Sequence, residues 1–264
     1  MPQNLDYWTK ITEKKPFKDL EWNIPEQKTG QVNLIGGNSS SFAVVAKTAD
    51  FISNTFPVKS LSILLPDALR GKIPPIPGVN FLDSTESGSF DKSKAMADYV
   101  EAADFSIFIG DLSKNSATAI AVSDAIKNST KNVLLTRDAI DLVSPEMVNL
   151  IEREGLFVVG SMAQLQKLFR AVYYPKMLLL SQPLLPVLET LHKFTLSYPI
   201  TILTFHQEQI IVASHGQIVT LPIENTSYTP LSLWSGELAA KIALSNLYTP
   251  GKPLEATAFA INYS

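Results

Sequence analysis

The stretch AADFSIFIGDLSKNSATAIAVSDAIKNSTKNVLLTRDAIDLV, residues 102–143, decides the fold. Residues 104–112 (DFSIFIGDL) form a short apolar run rich in Phe and Ile, which suits a strand buried on both faces. Residues 117–129 (ATAIAVSDAIKNS) carry apolar side chains at helical spacing, and 131–143 begin as a second strand through NVLLT. Strand, helix and strand in this order, with the strands apolar on two faces, predict a parallel sheet covered by helices on each side. In an open sheet of that kind ligands gather just beyond the carboxyl ends of the strands. Gly110 and Asp111 fall at one such end; Arg137, Asp138 and Asp141 fall at the next. Each also has a plainer reading. Asp111 would cap the following helix, and Asp138 would pair with Arg137 or cap a helix.

The same alternation runs outward in both directions. Upstream, 31–37 (QVNLIGG) read as a strand, 41–56 as a helix, 60–71 as a strand entering a turn, and 93–103 as a helix. The three prolines of 73–83 exclude a helix there and leave room for a short strand at its end. Downstream, 144–154 read as a helix with Ser144 as cap and Pro145 in its first turn. Residues 155–161 form a strand and 162–172 a helix. A helix in LLPVLETLHKFTLSYP then leads to three close strands, ITILTF, QIIVAS and QIVTLPI, whose polar turns predict an antiparallel edge over 200–223. A helix opens at Ser235 and another follows Pro253. Residues 1–30 lack periodicity and read as an extended arm lying on the body, so 31–264 form one α/β domain.

Composition narrows the function classes. With 45% hydrophobic and 18% charged residues, the 264-residue chain can bury a sizeable core. A net charge of −3 with interspersed signs gives no surface for nucleic acid or an anionic membrane. Cysteine is absent, which excludes disulfides, thiolate metal sites and a Cys nucleophile. The polar, aromatic start lacks the apolar core of a signal peptide, and runs such as MLLL are too short to span a bilayer. A cytoplasmic protein is expected. The segment VYYPKMLLLSQPLLPVL holds more apolar surface than one helix buries, which points to a homo-oligomer.

Two further stretches carry candidate chemistry. LIGGNSSSFAVVAK places Gly36, Gly37 and Asn38 between a strand and a helix, where backbone N–H groups cradle phosphate; the plainer reading is a tight turn with serine caps. It is neither G-x-G-x-x-G nor a P-loop. In TPLSLWSGELAAKIAL, a helix opens on Ser235-Gly236-Glu237. Ser235 as cap and Glu237 as a dipole partner explain it structurally; an anion site with a carboxylate base explains it chemically. His192, His206 and His215 are scattered without metal-ligand spacing, so no metal site is expected. No G-x-S-x-G elbow supports a Ser-His-Asp triad.

Taken in order, KTGQVNLIGGNSSSFAVVAKTADFI, AADFSIFIGDLSKNSATAIAV, NVLLTRDAIDLV and WSGELAAKIALSNLYTPGKPLEATAFAI resemble the ribokinase-like NAD(P)H-hydrate dehydratases, over roughly residues 28–262. The resemblance implies a three-layer α/β/α sandwich and ATP or ADP, with magnesium, used to dehydrate hydrated NADH or NADPH. The family's Gly-Ser-Gly-Asp motif holds phosphate on helix N–H groups and supplies the catalytic base. Here it falls on Trp234, Ser235, Gly236 and Glu237, which assigns nucleotide binding to the first three and the base to Glu237. Gly36, Gly37, Asn38, Gly110 and Asp138 fall on the substrate side. The departures are several. Trp234 stands for a glycine, and Glu237 is one methylene longer than Asp. GDLSK replaces a Gly-Pro-Gly-Leu-Gly loop, and VGSMAQ replaces Thr-Pro-His-x-x-Glu. Two functions stay open: a nucleotide-dependent dehydratase or small-molecule kinase, and a non-catalytic relative that binds a ligand or acts as an oligomeric interaction protein.

Overall fold

The computed structural model describes residues 5–12, 24–92 and 94–262. The parallel strands account for most of its interior. β5 (Phe105–Gly110), β7 (Leu156–Val159) and β8 (Ile200–His206) are buried along their whole length, and β6 (Asn132–Thr136) is buried beyond its first residue. The period of two divides each strand between two cores. Phe108, Leu135 and Val158 face one core; their neighbours Ile107, Leu134 and Phe157 face the other. The first core lies under α2 (Lys94–Ala102), α3 (Ser116–Lys127), α4 (Asp138–Val143), α5 (Met147–Leu150), α6 (Met162–Ala171) and α7 (Leu184–Ser197). The second lies under α1 (Ala43–Thr55), α8 (Glu237–Tyr248) and α9 (Pro253–Asn262). The result is three layers, helices on both sides of one sheet.

With β1 (Trp8–Lys10), β2 (Thr29–Gly36), β3 (Val58–Pro66), β4 (Val79–Leu82), β9 (Gln209–Ser214) and β10 (Gln217–Pro222), the sheet runs in the order β1-β10-β9-β8-β7-β6-β5-β2-β3-β4. All neighbours from β8 through β7, β6, β5, β2 and β3 to β4 are parallel; β8, β9 and β10 are antiparallel. The expected antiparallel edge over 200–223 is therefore present, but it is not outermost. Part of the amino-terminal arm adds β1 parallel to β10, with Trp8 Nε1 donating to Thr220 Oγ1 at 3.0 Å. Residues 1–4 and 13–23 of that arm lie outside the described residues. The direction of winding reverses between β2 and β5, and their carboxyl ends, Gly36 and Gly110, pair across that switch point.

The helix start read at Ser144 differs in the structure. The helix expected at Ser144 begins at Asp138, tightens into a 3-10 turn over Ser144–Glu146 and resumes at Met147. Ser144 has helical dihedrals and caps nothing. Pro145 lacks an N–H, so the chain loses one rung of the ladder without ending the helical path. Among the described residues no helix is long and apolar enough to cross a membrane. After α6, Tyr173, Met177 and Leu180 are exposed.

Candidate functional site

Four loops meet at the carboxyl end of the sheet, and hydrogen bonds tie them into one network. The Gly37 N–H donates to the Gly110 carbonyl at 3.0 Å, and Asn38 Nδ2 donates to the Asp111 carbonyl at 2.7 Å. Asn38 Oδ1 accepts from the N–H groups of Ser40 and Ser41, so an asparagine turn, rather than serine caps, shapes the entry to α1. Ser41 Oγ reaches Asp111 Oδ2 at 2.9 Å. Asp111 Oδ1 pairs with Arg137 Nη2 at 2.7 Å, each side chain only 15% exposed. Arg137 Nη1 donates to the Trp234 carbonyl at 2.6 Å, and Thr136 Oγ1 to the Leu233 carbonyl at 3.3 Å. Two successive residues at the end of β6 thus hold two successive carbonyls of the 3-10 turn (Pro230–Trp234) that opens α8.

Asp138 works inside this network. Its Oδ1 accepts from the Asp111 N–H at 2.8 Å and its Oδ2 from the Leu112 N–H at 3.0 Å. The loop it holds is strained. Gly110 has φ 99°, and Asp111 and Ser113 have φ of 57° and 58°. Arg137 itself sits at φ 55°, ψ −138°, and its carbonyl is held by Gln164 Nε2 at 2.6 Å. Gln164 also closes a capping box with Ser161 at the start of α6 and donates to Asp141 Oδ2 at 3.1 Å; Asp141 Oδ1 takes Lys167 Nζ at 2.5 Å. The glycines serve close packing within the chain. A Cβ at Gly110 would meet the Asp138 carboxylate, and one at Gly36 would meet the Gly110 carbonyl and Ile109.

The start of α8 is different. Its N-cap is Gly236, at φ 84°, with no side-chain cap. Ser235 turns its hydroxyl back to the Ser232 carbonyl at 3.0 Å, so the reading of Ser235 as cap does not hold. A Cβ at Gly236 would collide with Thr48 Oγ1 of α1. That hydroxyl is fully buried, and it has no hydrogen-bond partner among the described residues. Trp234 is 44% exposed beside it, and Glu237 is exposed in the first turn.

No protein-family model matches the sequence, and no curated protein matches it. Solved structures do. A ribokinase-like superfamily protein from Enterococcus faecalis superposes with a TM-score of 0.66 at 13% identity, over 96% of this chain and 86% of that one. The fold is ribokinase-like. The Bacillus subtilis ADP/ATP-dependent NAD(P)H-hydrate dehydratase, co-crystallised with ATP and Mg2+ and soaked with CoA, gives 0.58 at 15% identity, over 88% of this chain and 78% of that one. Bacillus subtilis pyridoxal kinase, in an ADP complex, gives 0.50 at 11% identity, over 89% of each chain.

Within this ribokinase-like frame the structure gathers Gly36, Gly37, Asn38, Gly110, Asp138 and 234–237 at one end of the sheet. Of the carboxylates there, Asp111 and Asp138 are fully engaged by protein donors, whereas Glu237 has no hydrogen bond or ion pair among the described residues. Among the described residues no group of three or more His, Asp or Glu side chains is placed to hold a metal ion. Thr48 was invisible to sequence reading, because a mid-helix threonine on an apolar face carries no signal of what it faces across the layer.

Proposed function

We propose that this chain binds a nucleotide through the start of α8 and does not catalyse the dehydration of hydrated NADH. The uncapped, left-handed Gly236 carries the binding reading. It leaves the first N–H groups of α8 without a side-chain acceptor, beside the unpartnered Thr48 hydroxyl. Such a helix start favours an anion through both its free donors and its dipole. A nucleotide-borne magnesium ion would neutralise phosphate charge there. Exposed Trp234 offers a ring face for a base.

The absence of turnover is supported by what the other carboxylates do. Asp138 accepts from the Asp111 and Leu112 amides, and Asp111 pairs with Arg137 and accepts from Ser41, so both hold the loops together. One observation favours the opposite reading: Glu237 is exposed and unengaged, as a general base in the resting protein would be.

Binding is tested by thermal shift with ADP, ATP and AMP. Ligand at a hundred times its Kd stabilises by about 2.7 kcal/mol, readily seen as a higher Tm. The shift is expected in the wild type and lost in Ser235→Glu, which places a negative charge at the α8 entry. A flat response to all three nucleotides would refute the binding reading.

A further inference from the structure

A groove at the opposite, amino end of the sheet is unaccounted for. Two cavities there, of about 300 and 400 Å³, share Asn132, Asn246 and Pro250 as walls. Such volumes lie at the lower end of the range of small-molecule sites. Asn132 opens β6, Pro199 precedes β8, and Asn246 lies in the last turn of α8, whose first turn is at the other end of the sheet. Phe157, Pro199 and Pro253 supply flat apolar walls.

Three neutral side chains on these walls have unused hydrogen-bonding capacity. Asn246 is only 4% exposed, and its Nδ2 donates to the Ile242 carbonyl at 2.9 Å and to Thr257 Oγ1 at 3.0 Å. Its Oδ1 has no partner among the described residues. The Asn132 carboxamide has none either, and a Cβ at Gly155 would collide with its Oδ1. The third is His215. Thr201 Oγ1 lies 2.8 Å from Ser214 Oγ, which lies 2.9 Å from His215 Nδ1. Thr201 and Ser214 are buried, so each hydroxyl needs an acceptor. Only the direction from Thr201 through Ser214 to Nδ1 lets both donate. The proton of the neutral imidazole is then on Nε2, which has no partner among the described residues. The charged groups on the walls are Glu154, Asp104 and Lys131, two carboxylates against one ammonium. The carboxyl end of α8 adds the negative end of its dipole. The groove therefore disfavours an anion and suits a neutral ligand with N–H donors.

We propose that this groove binds a small uncharged amino-heterocycle, a planar ring with a nitrogen acceptor next to an exocyclic amine. A carboxamide presents an acceptor and a donor side by side and matches that edge with two hydrogen bonds, as asparagine does with adenine. Asn132 reads the edge, Asn246 Oδ1 takes the second amine hydrogen, and the His215 Nε2–H meets a further acceptor on the ring. The ring packs among Phe157, Pro199 and Pro253. The site does not depend on the reading of α8.

The test is an NMR titration of the full chain with 2-aminopyrimidine. Two controls run beside it: pyrimidine, which keeps the ring acceptors and lacks the amine, and benzoate, which joins a ring to an anion. 2-Aminopyrimidine is expected to shift the Gly155 and Gly251 backbone amides and the Asn132 side-chain amide saturably. Pyrimidine should bind at least about tenfold more weakly, the effect of losing the amine, and benzoate should shift none of these signals. Asn132→Leu removes an amide that has no protein partner, so it should weaken binding by about tenfold with Tm unchanged. His215→Asn, a residue type that accepts left-handed backbone, should weaken it by a similar factor. Ser235→Glu should leave it unaltered. If 2-aminopyrimidine moves none of these signals, if pyrimidine or benzoate binds as tightly, or if both groove variants bind like the wild type, the proposal is wrong. If Ser235→Glu abolishes binding while Asn132→Leu does not, the ligand sits at α8; the groove proposal then fails and the α8 reading stands.

Discussion

Apart from Tyr173 just after α6, the described non-glycine residues with positive φ occur in hairpin turns and in the cleft loops, and their neighbours differ. Gln207 and Glu208, at φ 45° and 58°, join β8 to β9 by a two-residue turn. His215, at φ 48°, and Gly216 join β9 to β10 in the same way. A two-residue hairpin of the type I′ kind needs positive φ at both central positions, and its twist matches that of the strands. The strain there is local and serves the turn. Asp111, Ser113 and Arg137 have similar φ values, but no hairpin demands them. They are held by tertiary bonds: Asp138 to the Asp111 and Leu112 amides, Ser41 and Arg137 to Asp111, and Gln164 to the Arg137 carbonyl. Strain maintained by a polar network at the carboxyl end of a parallel sheet is the kind that accompanies ligand sites.

That comparison is broken most forcefully at Asp138. Asp138→Ala leaves two backbone donors without their acceptor and frees the strained loop. The expected loss is about 2–3 kcal/mol, read as a lower denaturation midpoint with unchanged m-value. A loss below about 0.5 kcal/mol would show that the loop does not need its carboxylate.

A smaller effect sharpens the contrast, because one substitution type should change sign between the two settings. Glu208→Gly removes the cost of a side chain in left-handed backbone, about 1–2 kcal/mol, against the greater freedom of glycine in the unfolded chain, about 0.5–1 kcal/mol. A net gain of about 0.5 kcal/mol is expected. Asp111→Gly relieves the same strain but strands part-buried Arg137 and frees Ser41, for an expected net loss of about 1 kcal/mol. Equal signs in the two melts would mean that the network does not hold the cleft loop.

Much of the fold was legible in the residues. The both-face apolar strands gave the parallel sheet, and the short strands after Pro199 gave the antiparallel region. The four segments of the site could be placed at one end because each follows a strand or opens a helix. What each side chain does there was not legible. Arg137 was read as the partner of a neighbouring Asp, but it pairs with Asp111, 26 positions away in sequence. Asp138 was read toward a substrate, or as an ion-pair partner of Arg137 or a helix cap; its two oxygens accept from backbone amides of another loop. Ser235 looked like a helix cap because its residue type favours that place, and Gly236 took the position because its left-handed backbone and the pressure of Thr48 allow nothing larger. Strand periodicity is local, whereas these partners are chosen by loops that meet only after the sheet has formed. The groove beside Asn132 belongs to the same class, since its walls come from separate elements.

The central proposal is that Asp111 and Asp138 hold the cleft loops together and that the chain does not dehydrate hydrated NADH. The most direct measurement is wild-type turnover of hydrated NADH in the presence of ATP and Mg2+, followed by the absorbance of regenerated NADH. The expected result is a rate no higher than that of the same mixture without protein. A nucleotide-dependent rate that falls by roughly 10²–10⁴-fold in Glu237→Gln, the usual effect of losing a general base, would contradict it and make Glu237 the catalytic residue.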